Sequence, residues 1–169
     1  MATLIRHGRS ANDTWHWPED DAAPLPADGD VIISVARWQA QRAALAARAG
    51  RIGLVFHGGD DPAKVAEDLK LFGVVAVQFP QFTDGRGYSI ARLLRERYGW
   101  RGELRAVGDI QRDQLFYLAR CGFDAFLLRD GEDVESALTA FRDFSDAYQA
   151  AVDQPLPLFR RRASATLDA

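Results

Sequence analysis

The chain has 169 residues, 47% hydrophobic and 27% charged, with 21 Lys+Arg against 24 Asp+Glu and a formal net charge of -3. That length suits one domain burying roughly 70% of its unfolded-chain surface and is short for two, and the balanced charge gives no overall attraction to nucleic acid or membrane. The single Cys121 excludes an internal disulfide or thiolate cluster, no apolar run approaches the ~20 residues of a membrane span, and no apolar signal segment opens the chain, so a cytoplasmic protein is expected.

Residues 1–30 begin with a short apolar stretch, ATLI, and continue as RHGRSANDTWHWPEDDAAPLPADGD. Proline, aspartate and glycine make this a poor candidate for regular structure, and it is expected to lie across the domain as an irregular arm anchored by Trp15 and Trp17. LIRHGRSAN resembles the opening of the histidine phosphatases, in which such a histidine takes a phosphoryl group, and LVFHGG supplies a second histidine. The layout departs from that family, because His7 and His57 are only 50 positions apart. The plainer expectation is a short edge strand at Leu4 and Ile5 followed by an exposed His7.

From Val31 the pattern becomes regular. Val31 to Val35 reads as a buried strand, and Arg37 to Ala49 as an alanine-rich helix with Trp38, Leu45 and Ala49 on one side. Arg51 to Phe56 is the next strand, HGGDD a turn, and Asp61-Pro62 the start of a helix over Ala63 to Leu71. Gly73 to Phe79 is a third strand. TDGRG follows, then a helix over Tyr88 to Tyr98 with Ile90, Ala91 and Leu94 inward and Arg92, Arg95 and Glu96 outward. Gly102 to Gly108, Gln111 to Arg120, Phe123 to Leu128 and Asp133 to Tyr148 repeat the cadence, the last helix carrying an apolar stripe that ends at Tyr148.

Five β-α units in succession imply an α/β fold with a parallel sheet, since parallel neighbours need crossovers. An open doubly wound sheet flanked by helices is favoured; the alternative is a partial or modified β/α barrel, a complete one needing ~250 residues. The single α/β domain is expected over 31–150, with a tail over 151–169 that packs through Leu156 to Phe159 and then frays.

In a parallel sheet the turns after the strand C-termini gather at one edge, where ligands usually bind. Those turns carry His57, Asp60 and Asp61; Gln81, Asp84, Arg86 and Ser89; Asp109, Arg112 and Asp113; and Arg129 and Asp130. TDGRGYS is the best small-oxyanion or phosphate candidate, because Gly85 and Gly87 permit close backbone approach while Arg86, Ser89 and helix N–H groups donate. The plainer alternative is a helix cap through a tight turn. Asp109 and Asp113 suit the N-terminus of the following helix; a catalytic or divalent-ion pair of Asp84 and Asp109 is the rival, without a third ligand to close a metal site. An ion pair of Arg86 or Arg112 with Asp109 or Asp84 is expected to lock the two turns together. Cys121, at a helix C-terminus, reads as a buried structural cysteine, because the negative end of the helix opposes thiolate formation.

The run FPQFTDGRGYSIARLLRERYGWRGELRAVGDIQRDQLFYLARCGFDAF resembles the bacterial family known as domain of unknown function 934, whose phrase is very like FPxFxDGRGYSxARLLRxRxGxxGELRAVGDxxxDQ. The likeness extends more loosely from the Trp38 helix to about Tyr148. It implies an oxidoreductase associated with sulfite reduction, or a protein accessory to it in assimilatory sulfur metabolism, with sulfite reductase or its neighbours as partners. The residues themselves show no nucleotide fingerprint, iron-sulfur cysteines or haem ligands, so no cofactor and no metal is expected.

Overall fold

The computed structural model describes the backbone of residues 3–167 and the side chains of residues 3–162. Its centre is a seven-stranded sheet in the spatial order Arg9–Ala11, Thr3–Arg6, Ala125–Leu128, Glu103–Gly108, Phe72–Phe79, Ile52–Phe56, Val31–Ser34. The strands β3 (Val31–Ser34), β4 (Ile52–Phe56), β5 (Phe72–Phe79), β6 (Glu103–Gly108) and β7 (Ala125–Leu128) are parallel and adjacent in sequence order. The apolar start forms β1 (Thr3–Arg6), which lies antiparallel to β7, and β2 (Arg9–Ala11) closes a hairpin on it. Leu4 and Ile5 are buried, and His7, exposed and with φ of 49°, makes the hairpin turn.

The sheet is open and mostly parallel, as the β-α cadence predicts, but it is not doubly wound. Double winding requires the strand order to reverse; a strictly sequential order with crossovers of one hand keeps every helix on the same side. Alternate strand residues record this. Val31, Ile33, Leu54, Phe56, Val75, Val77, Phe79, Leu104, Ala106 and Phe126 share one core with Trp38, Leu69, Leu94, Leu118 and Ala137 from the connecting segments. The opposite face, with Ile32, Val55, Val74, Ala76 and Val107, packs instead against Trp15 and Trp17 of the N-terminal arm. The chain thus has the strand order of a barrel segment without closure.

The connecting segments are more varied than the periodicity suggests. Helix α1 (Val35–Ala46) starts one residue after β3, where the Arg37 N–H donates to Ser34 Oγ at 2.9 Å. Pro62–Leu71 is a run of 3-10 turns, entered through the Asp61 cap. Helix α2 (Arg86–Arg92) passes directly into a π-turn at Leu93–Arg97. That change of pitch rotates Arg95 inward, contrary to its expected outward place. It is 8% exposed and donates to the carbonyls of Trp100, Gly102 and Gly122 and to Asp124, so it ties the starts of two strands together.

Helix α3 (Arg112–Arg120) lies where the pattern places it, whereas α4 (Val134–Ala140) stops well before Tyr148, which is 62% exposed. Past Ala140 the chain is held by outside partners: Asp143 by Arg112, and Phe144 by the Phe116 ring at 5.0 Å. These contacts override the helical periodicity. The tail forms α5 (Leu158–Leu167) in place of the expected fraying segment.

Candidate functional site

The strand-end turns assemble at one edge, and they do so as a closed structure. Asp109, directly after β6, accepts from the Phe82 N–H at 3.0 Å, and Gln114 Nε2 donates to the Phe82 carbonyl at 3.2 Å. One peptide segment of the β5 turn is therefore gripped at both its donor and its acceptor by the β6 turn and the helix after it. Gln114 also donates to Tyr88 Oη at 3.2 Å and accepts from the Gln111 N–H at 2.9 Å, completing a capping box. Asp109 further accepts from Arg129 Nη1 at 3.0 Å, which brings in the end of β7.

The expected locking of the turns occurs, but through other atoms than the expected ion pair. Arg86 does not reach Asp109; it donates to Asp84 of its own turn, at 2.9 Å from Nε and 2.7 Å from Nη2. These donors, with the Arg86 backbone N–H, hold the Asp84 carboxyl down at about 2. Arg112 pairs with Asp143, both nitrogens at 2.9 Å. Gly85 precedes α2 at its N-terminus, and Gly87 is buried so tightly that a Cβ would lie 2.6 Å from Phe79 Cζ. Gly108, with φ of +100°, brings its backbone against the Phe79 carbonyl, where a Cβ would come within 2.2 Å. Ser89 is exposed beside Arg92 and Leu93, away from this cluster, and Asp113 is exposed in the first turn of α3.

A different arrangement occupies the helix-free face. Here the arm crosses the C-terminal ends of the strands and leaves a cleft of about 310 Å³. The floor is apolar, from Ile32, Val55, Val107 and Leu127; the strand ends add the polar Ser34, His57 and Gln78; the arm supplies Trp17, Pro18, Glu19, Asp20 and Asp21. The volume is that of roughly ten water molecules in the liquid and lies at the lower end of small-ligand sites. Ser34 Oγ accepts the helix-cap bond and keeps its own proton to donate, and the His57 backbone N–H donates to Asp60 Oδ2 at 2.7 Å, with the exposed ring Nδ1 3.6 Å from the same oxygen. The Gln78 amide has no protein hydrogen bond among the described residues.

Arginine holds the arm in place. Arg37 donates to the carbonyls of Asp20 and Ala23, Arg48 to those of Pro26 and Gly29, and Arg51 pairs with Asp30 while lying 5.0 Å over the Trp15 ring. Below the arm Arg105 is fully buried in the sheet, its Nη1 2.9 Å from Asp13 Oδ1 and its Nη2 2.6 Å from Glu103 Oε1. Burial works to raise the Asp13 carboxyl, but the Trp17 indole N–H, at 2.9 Å, and Arg105 bring it below its ordinary value. The turn cluster and the cleft adjoin, since the Arg86 side chain covers Gly58, next to His57.

Of the cleft residues the sequence reading places only His57 among the strand-end groups. Ser34 and Gln78 were signalled by phase: each extends the alternation of the helix-free face, after Ile32 and after Val74 and Ala76, and each is polar where its neighbours are apolar. Among the described residues no group of three or more His, Cys, Asp or Glu side chains is placed to hold a metal ion, and no helix is long and apolar enough to cross a membrane.

Fold and cleft together define an open, singly wound α/β protein with a ligand-sized recess under an N-terminal strap. The chain belongs to the family described as "Bacterial protein of unknown function (DUF934)", which matches residues 53–159. The matched region contains both turns and the cleft residues Val55, His57, Gln78, Val107 and Leu127; the arm, Ile32 and Ser34 precede it. Comparison with curated proteins and with solved structures gave no match.

Proposed function

We propose that the protein binds a small polar molecule in the cleft beneath its N-terminal arm, and that the family's charged turns serve as the rigid wall of that site. One observation carries this reading: the cleft gathers Ser34, His57 and the unpartnered Gln78 amide over an apolar floor at the C-terminal ends of parallel strands. Few convergent polar groups over an apolar floor is the usual composition of a small-molecule site. At the rival location, the TDGRG and GDIQRD turns, Arg86 and Arg112 each already hold a carboxylate through two donors, and those carboxylates offset the charge an oxyanion would meet.

A ligand-observed NMR screen with cationic, neutral and anionic fragments tests the reading. Binders are expected, and Val107→Phe, which fills the floor, is expected to abolish their signal while leaving the fold intact by circular dichroism. Binders that survive Val107→Phe and are lost in Arg86→Ala would move the site to the turns and overturn it. The setting implied by the family resemblance, assimilatory sulfur metabolism in support of sulfite reduction, is part of the proposal. It predicts co-purification with sulfite reductase or its neighbours from a native host and poor growth of a deletion strain on sulfate; neither effect would remove the setting.

A further inference from the structure

The cleft's charge defines its ligand more narrowly. Several carboxylates of this arginine-rich chain are paired with arginine: Asp13 with Arg105, Asp30 with Arg51, Asp68 with Arg42, Asp84 with Arg86, Asp124 with Arg95 and Asp143 with Arg112. At the mouth of the cleft Glu19, Asp20 and Asp21 stand consecutively with no basic side-chain partner among the described residues; Asp20 accepts from the Ala22 and Ala23 N–H groups at 2.8 and 2.7 Å, Glu19 and Asp21 are left to the cleft, and no lysine or arginine lines the recess. Arg37 binds the Asp20 and Ala23 carbonyls of this part of the arm but does not line the recess. Trp17 lines the same cleft, packed on the sheet floor with its indole N–H donating to Asp13.

Like charges over a low-dielectric floor focus a negative potential into the recess, which repels sulfite, sulfate and phosphate and attracts a cation. An aromatic wall next to carboxylates is the composition that receives an organic ammonium group, by ring quadrupole and by charge. The apolar floor adds a requirement that a bare metal ion does not meet, for Ile32, Val55 and Val107 offer it no ligand.

Resting on the cleft reading above, we infer that the ligand is an organic cation: an amine or ammonium group on a short apolar body. The charged group lies against Glu19, Asp21 and Trp17, the body covers the sheet floor, and the far end meets Ser34, His57 and Gln78.

The test is titration calorimetry on the full chain with cadaverine and choline, set against 1,5-pentanediol, glutarate and sulfate at constant ionic strength. The Trp17 indole N–H resonance serves as the local reporter. The cations are expected to bind about tenfold more tightly than the diol, with further weakening as salt rises, and the anions not at all. In Glu19→Gln/Asp21→Asn, whose substitutions are exposed and leave the fold unchanged, the cations are expected to fall to the affinity of the diol. Diol or glutarate binding as tightly as the cations, with the Trp17 resonance moving, overturns the inference and leaves the cleft reading standing. Cation binding unchanged in the double variant also overturns it. If fragments of every charge leave the cleft resonances unmoved, both readings fall.

Discussion

The strand-end turns and the cleft share an edge of the sheet, yet they spend their polar groups in opposite ways. In the turns Asp84, Asp109, Arg112, Gln114 and Arg129 are all committed to partners within the protein. In the cleft Gln78, Glu19 and Asp21 have none among the described residues. A stretch dense in Asp, Arg and Gly therefore need not be a binding site. Its density here follows from fastening three crossovers to one another, and the groups left for a ligand lie where the pattern is least conspicuous.

The largest expected effect concerns the layer beneath the cleft. Arg105→Leu leaves the carboxylates of Asp13 and Glu103 without their buried partner and is expected to cost about 3–5 kcal/mol in urea unfolding. The arm should loosen with it, shown by faster hydrogen exchange at the Trp15 and Trp17 indoles. A loss below about 1 kcal/mol would mean that the arm is held without this pair.

Gly108→Ala comes next. Its strained φ and the close Phe79 carbonyl are expected to cost roughly 3 kcal/mol, read in the same experiment. The latch itself is predicted to be worth less. Asp109→Ala and Gln114→Ala should each cost about 1–2 kcal/mol. Because both side chains grip the Phe82 segment, the double variant should be non-additive by roughly 0.5 kcal/mol or more; simple additivity would separate the two contacts.

The smallest effect on stability belongs to the most conspicuous pair. Arg86→Gln removes an exposed ion pair and should leave the melting temperature nearly unchanged. It should be visible in titration. The Asp84 carboxyl, at about 2 in the folded protein against an ordinary 3.8, is expected to return toward the ordinary value in the variant by carbon-detected NMR. Since the folded value is the depressed one, the pair's contribution is present above about 3.8 and is lost as pH falls through about 2. Cys121 gives a parallel control: burial raises its thiol, so native protein should react slowly with a maleimide and unfolded protein quickly.

Much of the fold was legible because the β-α cadence is strong. Each parallel strand appears within two residues of the apolar run that signals it, from VIIS to AFLL. The winding was not legible, because strand order is a property of crossovers that the local pattern does not encode; the same five units could have reversed at a switch point. Arg95 departs from its expected face because a π-turn changes the period that assigns helix faces, and α4 is shorter than its apolar stripe because Asp143 and Phe144 answer to Arg112 and Phe116 across the fold. Both turns were legible as a unit, but the Phe82 segment that joins them carries no side-chain signal. The cleft was hidden for the related reason that its roof is an arm without periodicity, whose place is set by Arg37, Arg48, Arg51 and Arg105 from distant positions.

Soaking crystals of the full chain with a mixed-charge fragment set separates the two regions most directly. Density is predicted beneath the arm, in contact with Ser34, His57 or Gln78, while the Arg86–Asp84 and Arg112–Asp143 pairs stay closed. Fragments seated on Arg86, Ser89 or Asp109 to Asp113 with those pairs opened, and none in the cleft, would contradict the account.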